Sequence, residues 1–377
     1  MSRSRDISGE REACLFFSLV QAQVGRSLSN RLGGRSLVEA ASLSVPELSA
    51  LANLSEKAAA TLGRISSGFD AGAMLEELNR NGVRAVTLAD GEYPERLRGA
   101  SDPPPALFVR GEFPPGREGI GAAAVVAVVG SRKASVGAHS VARSLGRLLA
   151  ERGVSVVSGL ALGIDAAAHR GALDAGGETV GVLGCGIDVV YPKRNGRLFE
   201  EIVSEGGAVV SEYYLGEAPL AWRFPARNRI IAALSDATVV VEAAERSGSL
   251  ITARHALDEG REVWAVPGPV GMDECRGSNK LLSDGAAVLW DVREFASSFG
   301  EAPAPVEKEE PAVPEGLPDR EAKALGAVDF APSAVDTVAL RSGMQVRDLL
   351  PVLTMLELKG YVSRDATGAF ARKARGS

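Results

Sequence analysis

The sequence predicts an α/β protein: a parallel-sheet core, a small helical domain before it and a winged-helix domain after it. Three observations carry this. Ala122–Val129 is an unbroken Val-rich apolar run, short enough for one strand and apolar enough to be buried on both faces. From there to Leu289, strand-like and helix-like segments alternate, which calls for parallel pairing through right-handed crossovers. Outside this region the pattern changes to leucine-spaced helices at the start and a helix-turn-helix pattern at the end.

The chain has 377 residues, enough for two or three domains. Hydrophobic residues make up 45% and charged residues 24%, a soluble globular balance. The net charge of −6 argues against a non-specific polybasic binder but permits a local basic site. Aromatics are only 5%, so broad base-stacking platforms are not expected. Cys14, Cys185 and Cys275 are odd in number and far apart, which suits a reducing compartment and offers no metal spacing. No apolar run is long enough to span a membrane, and the mixed charges before Cys14 make a poor signal peptide. A cytoplasmic protein without metal or cofactor is expected.

In chain order, residues 11–65 read as short helices anchored by Leu15, Leu19, Leu32, Leu37, Leu48, Leu51, Leu54 and Leu62. Ser44 is placed to cap a helix opened by Pro46 with Glu47 in its first turn. A helix-hairpin-helix grip on DNA would need a Gly-x-Gly hairpin that is not clear here, so packing is the plainer role. A helix over Ala71–Asn81 and strands over Val83–Leu88 and Ala106–Arg110 precede the main alternation. Its strands are expected at Ala122–Val129, Val154–Ser158, Thr179–Leu183, Ala208–Ser211, Ala237–Val241, Glu262–Ala265 and Ala286–Leu289. Its helices fall near Val141–Arg152, Asp165–Ala175, Leu198–Glu205, Arg227–Leu234, Thr252–Glu259 and Asn279–Ser283. Glu301–Pro318 is a Pro- and Glu-rich linker. Val335–Leu340 and Arg347–Lys359 then read as helix-turn-helix, with Tyr361–Arg364 and Ala369–Arg372 as a small wing. Domain boundaries follow at 1–72, 73–298, a linker 299–318, and 319–377. Whether the winged helix contacts DNA or protein stays open.

Gly130, Ser131, Arg132 and Lys133 sit on the turn after the first core strand, where open α/β sheets bind ligands. Backbone N–H groups at the following helix start would favour a phosphate there. The plain alternative is a tight turn with two solvated cations. Other turns share that rim: Gly184-Cys185-Gly186, Lys193 and Asn195, Phe224 through Arg227, Asn228 and Arg229, and Ser247 through Ser249. Cations interleaved with Asn, Ser and Gly suit a phosphate backbone. A nicotinamide or flavin enzyme is disfavoured, because the first turn lacks Gly-x-Gly-x-x-Gly and the second strand ends in Ser158-Gly159 with no acid. A phosphoribohydrolase-like nucleotide-processing enzyme on the same sheet remains the alternative, although its Pro-Gly-Gly-x-Gly-Thr run is absent. A protein scaffold with a vestigial pocket is a third reading. Asp165 and His169, four apart on one helix, suit an acid–base pair less well than a helix-end acid and a packed imidazole. Cys185 is expected as a buried thiol.

These motifs, with Ser158–Asp165, Tyr191-Pro192, Ile230-Ile231, Thr252-Ala253 and Ala265–Gly268, resemble the DNA-processing protein A (DprA, also called Smf) family, in order from about Leu75 to Trp290. The resemblance implies an extended Rossmann-like domain that binds single-stranded DNA without catalysis. The flanking segments look like the family's small helical (SAM-like) and winged-helix modules. It implies RecA recombinase as a partner, loaded onto incoming strands during natural transformation. It assigns the DNA site to Gly130, Ser131 and Arg132, joined by Lys193, Asn195, Arg227 and Asn228. It also implies a homodimer, with Leu282 and Val288 as interface candidates.

Overall fold

Short leucine-bearing runs build the first five helices, the middle three capped by serine: α1 (Glu10–Val24), α2 (Leu37–Ser42), α3 (Val45–Leu51), α4 (Glu56–Gly68) and α5 (Ala71–Arg80). Ser44 and Glu47 form a reciprocal capping box with Pro46 in the first turn, as the sequence predicts, and Ser36 with Glu39 repeats the device. The computed structural model describes residues 7, 9–25, 28, 31–112, 124–299, 317–328, 333–364 and 368–372. It divides into two compact units, Met1–Pro303 and Ala304–Ser377. The helical start and the sheet therefore share one unit.

The sheet is assembled from β1 (Arg84–Thr87), α6 (Glu95–Arg98), β2 (Ala106–Gly111), β3 (Val125–Val129), α7 (Val136–Ala150), β4 (Ser155–Ser158), α8 (Ile164–Asp174), β5 (Thr179–Leu183), α9 (Gly196–Ser204) and β6 (Ala208–Ser211). It continues through α10 (Arg223–Leu234), β7 (Ala237–Val240), α11 (Ser249–Asp258), β8 (Glu262–Ala265), α12 (Arg276–Ser283), β9 (Ala287–Val288) and α13 (Val292–Ser297). The strand order is β1-β2-β6-β5-β4-β3-β7-β8-β9. β3 to β9 pair in parallel, and β1 and β2 add an antiparallel edge. Ala122 and Ala123, expected to begin the first core strand, lie outside the described residues.

β3 shows why its sequence has no polar face. Val125, Ala127 and Val129 pack toward residues of α10 and α11, while Val126 and Val128 pack toward α7, α8 and α13. Helices thus cover both faces, and every β3 side chain is buried. A third cluster joins Leu15 of α1 and Leu78 of α5 to Phe108, Phe199 and Val209, welding the helical start onto the antiparallel end of the sheet.

The topology fixes where a ligand can enter. From β3 the chain runs through β4, β5 and β6 on one side, then returns to place β7 on the other. The turns after β3 and β7 therefore diverge from adjacent strands and leave a crevice at their carboxyl ends.

The second unit contains α14 (Asp319–Gly326), α15 (Val335–Ser342), α16 (Val346–Leu358) and a hairpin of β10 (Val362–Arg364) with β11 (Phe370–Arg372). Leu325, Val338, Leu349, Leu353, Leu356, Val362 and Phe370 form its core. This is the expected winged helix. Most of the predicted linker, residues 300–316, lies outside the described residues, as does Thr367 in the wing. Among the described residues no helix is long and apolar enough to cross a membrane.

Candidate nucleic-acid interface

A cleft of about 710 Å³ opens at the switch point. The β3 turn, the start of α10 and the turn leading into α11 line it. Of the residues nominated from sequence, Gly130, Ser131, Arg132, Lys133, Arg227, Asn228, Ser247 and Ser249 meet there. Asp165, Tyr191, Phe224, Arg246 and Thr252 also line it, although they were not nominated. Arg246 was readable as a cation beside Ser247. Tyr191 and Phe224 stood inside recognised motifs, but their sequence gave no direction for their rings.

The β3 turn is held rigidly. A Cβ on Gly130 would lie 2.6 Å from Ile164 Cγ1 and 2.9 Å from the Glu242 carbonyl, so only glycine fits that approach. Ser131 N–H donates to the Glu242 carbonyl at 2.7 Å, and Ile164 N–H donates to the Ser131 carbonyl at 3.2 Å. Several of the amides at the turn and helix start are committed within the fold. Lys133 N–H donates to Ser131 Oγ, Ser135 N–H to the Glu242 carboxylate, and Ala138 N–H to Ser135 Oγ. A buried carboxylate thus takes one of the helix-start positions that an anion would use, which narrows the expected backbone-amide phosphate cradle.

Arg132 and Lys133 are exposed, and neither is ion-paired with a carboxylate among the described residues. The Arg132 guanidinium stands 5.5 Å from the Phe224 ring centre. Phe224 in turn lies 5.3 Å from Tyr191, with the rings inclined by 36°, and Tyr191 is 42% exposed. A cation, a half-buried ring and an open ring therefore form one continuous wall.

Arg227 works from below. It is buried and donates to the carbonyls of Gly159, at 3.0 Å, and Val182, and to Asn228 Oδ1 at 3.3 Å. Burial lowers its pKa to about 10, against the opposing pull of Asp165. Burial likewise raises the Asp165 pKa, opposed by Arg227 and by the N–H groups of Ala161 and Gly159. Asn228 donates to the Gly248 carbonyl at 3.1 Å, and Ser247 and Ser249 hydroxyls meet at 2.7 Å, tying the second wall together.

Five nominated positions are not brought into the cleft lining. Arg229 is the clearest correction: it faces away and is locked by Glu212 at 2.8 Å and Asp102 at 3.0 Å. Asn195 is buried and donates to the carbonyls of Leu160, at 2.8 Å, and Ala161, at 3.1 Å. Leu160 has φ of 54°, so this amide braces a strained turn behind the cleft instead of facing a ligand. Lys193 is exposed beside Tyr191 but outside the lining. Gly184 and Gly186 are packing glycines, since a Cβ would meet Phe224 at 2.9 Å and Glu217 N at 2.7 Å respectively.

Cys185 is the buried thiol the sequence suggested, its pKa raised by burial to about 11. His169 is fully buried, with Nδ1 2.7 Å from Thr179 Oγ1. Thr179 donates its own proton to the Val156 carbonyl, so its oxygen accepts from His169, and the imidazole packs as a neutral group. Asp165 bonds to Gly159 and Ala161, so the two do not act as an acid–base pair. At the far edge of the sheet, Leu282 of α12 is half-buried and Val288 of β9 is 47% exposed.

In the winged helix, the outward face of α16 carries Arg347, Leu350, Pro351, Thr354, Met355 and Leu358, all exposed. Arg347 is the only basic residue in that helix.

Comparison with known proteins adds the following. Residues 84–300 match the model of the DNA recombination-mediator protein A family, and residues 308–368 match the DprA winged helix domain. The chain is 40% identical to protein Smf of Escherichia coli K12 over 295 residues, covering 76% of this chain and 77% of that protein. It is 42% identical to DNA processing protein DprA of Streptococcus pneumoniae over 221 residues, covering 57% and 74%. Among solved structures, the S. pneumoniae DprA fold aligns with TM-score 0.63 at 32% identity, over 77% of this chain and 98% of that one. DprA of Helicobacter pylori, a structure concerned with its unique single-stranded DNA binding mode, aligns with TM-score 0.51 at 30% identity, over 57% and 95%.

Proposed function

The chain belongs to the DNA recombination-mediator protein A family, called DprA or Smf in its relatives, and from that premise we propose that its switch-point cleft binds single-stranded DNA. The observation that carries the proposal is one wall: Arg132 and Lys133, without carboxylate partners among the described residues, beside the Tyr191–Phe224 ring pair. Cations next to an open ring suit a backbone phosphate and an unstacked base together. The H. pylori relative's single-stranded DNA binding mode supports this choice of ligand.

The protein acts without catalysis, as a cytoplasmic mediator that shields single strands entering by natural transformation and loads RecA onto them. It works as a homodimer joined through α12 and β9, where Leu282 and the exposed Val288 stand at the sheet edge. DNA contact belongs to the sheet cleft and not to α16, whose outward face lacks the Arg, Asn and Gln side chains that read base edges, apart from Arg347.

The test compares single- and double-stranded oligonucleotides on the full-length protein across a salt series. Preference for the single strand, weakening steeply with salt, is expected. Equal affinity for duplex would reject the assignment. Turnover of nucleoside monophosphates would favour the nucleotide-enzyme alternative. Faster assembly of RecA on single strands checks the loading step. Sedimentation of a Val288→Glu variant as a monomer checks the dimer.

A further inference from the structure

We propose that the N-terminal helical segment sets the shape of the DNA cleft through a buried Arg223, which acts as a positioning residue. The inference rests on the cleft reading above. Arg223 opens α10, four residues before Arg227, and is only 2% exposed. Its guanidinium does not line the cleft. It lies 4.4 Å from the Tyr213 ring centre and 5.3 Å from that of Trp222. It donates to Glu217 Oε2 at 2.7 Å, to the Ala218 carbonyl at 2.9 Å and to the Ala22 carbonyl at 3.2 Å.

The last contact crosses 201 residues of sequence to the final turn of α1. Carbonyls in a helix's last turn have no partner inside the helix, so Ala22 offers an acceptor that a cation fits well. Two neighbours reinforce the junction. Gln23 Nε2 donates to Glu217 Oε1. Gly25 closes α1 at φ 71°, and a Cβ there would stand 3.4 Å from two carbons of the Trp222 ring.

The segment gripped in this way is the cleft wall. Between Glu217 and Arg227 the chain supplies Pro219, Ala221, Phe224 and Pro225 to the lining. Phe224 is the ring under Arg132. α1 therefore acts on the cleft from behind, by fixing where α10 starts, without itself touching nucleic acid. This gives the helical segment a role at the cleft in place of the helix-hairpin-helix DNA grip.

Full-length Arg223→Ala and Gln23→Ala variants test this by hydrogen–deuterium exchange and by single-strand affinity over a salt series. Arg223→Ala is expected to raise exchange across residues 213–225 and weaken binding about tenfold. The slope of log affinity against log salt should stay at the wild-type value, because no phosphate contact is lost. Gln23→Ala, an exposed change on the α1 side, should act in the same direction by about two- to threefold, and it decides the matter if Arg223→Ala fails to fold. Unchanged exchange and affinity in Gln23→Ala, or in a folded Arg223→Ala, would overturn the coupling. A slope reduced by about 0.7 would instead make Arg223 a direct phosphate ligand and overturn its positioning role. If the wild type binds no single strands, the cleft reading fails on its own, and exchange across 213–225 still decides the coupling.

Discussion

Replacing Arg132 by alanine should remove most of the affinity for single strands while leaving the fold intact. The side chain is exposed, its guanidinium rests 5.5 Å from the Phe224 ring centre, and it pairs with no carboxylate among the described residues. Its loss leaves no buried partner unsatisfied, so stability should move by no more than about 0.5 kcal/mol. A charge-assisted bond to one phosphate is worth about 1.5–3 kcal/mol, or roughly ten- to hundredfold in Kd. Loss of one neutralised phosphate should also lower the salt slope by about 0.7 on a single strand. Arg132→Lys should recover the slope but only part of the affinity, because an ammonium cannot fork or stack as a guanidinium does. Fluorescence anisotropy with a labelled oligothymidine at several salt concentrations, beside a thermal melt, measures all three quantities. Wild-type affinity and slope in Arg132→Ala, with an unchanged melt, would refute the reasoning and take the cleft wall with it.

Tyr191→Ala should cost about 1–3 kcal/mol of affinity if a base stacks on the open ring, whereas Tyr191→Phe should bind as wild type; the difference should vanish on an abasic strand, and its persistence there would rule out stacking. Arg229→Met should lower thermal stability by about 3 kcal/mol or more, because Glu212 is left buried without its cation, while affinity per folded molecule stays unchanged; selective loss of binding would return Arg229 to the site. His169 is held neutral, its pKa pressed to about 3 mainly by burial and further by Arg227. Between that value and the ordinary 6.5 the unfolded chain binds the extra proton, so His169's contribution is complete above about 6.5 and is lost as pH falls toward 3, at up to about 1.4 kcal/mol per pH unit. Urea melts at stepped pH should show a shallower slope in His169→Gln; identical slopes would exclude His169 as their source.

How much of this was legible in the sequence depends on whether a residue's direction follows from its element. β3 announced its burial on two faces, since every one of its five residues is apolar. The turns after β3 and β7 could be assigned to one rim because alternating helices and strands leave few other topologies. Arg229 shows where that logic fails. The sequence pattern started its helix at Arg227, which leaves Arg227 and Arg229 at a flexible edge. The helix in fact starts at Arg223, and residues two apart inside a helix point to different sides. Arg227 turns under the cleft, and Arg229 turns to Glu212 and Asp102. Asn195 failed differently: its partners, the carbonyls of Leu160 and Ala161, lie more than thirty residues away and come near only in the fold.

The same distinction separates the two functional readings of the sheet. An enzyme that holds a free nucleotide gains from backbone amides presented at a helix start, which grip a compact phosphate at fixed points. Here Glu242 takes the Ser131 and Ser135 amides through its carbonyl and carboxylate, so much of that grip is already occupied. What faces the cleft instead is Arg132 and Lys133 on exposed stems with Tyr191 beside them. Mobile cations adapt to successive phosphates of differing sugar geometry, and a ring stacks any base. That combination would suit holding a chain weakly at each unit and without regard to sequence, as the proposed single-strand mediator requires, better than it would suit gripping one compact nucleotide.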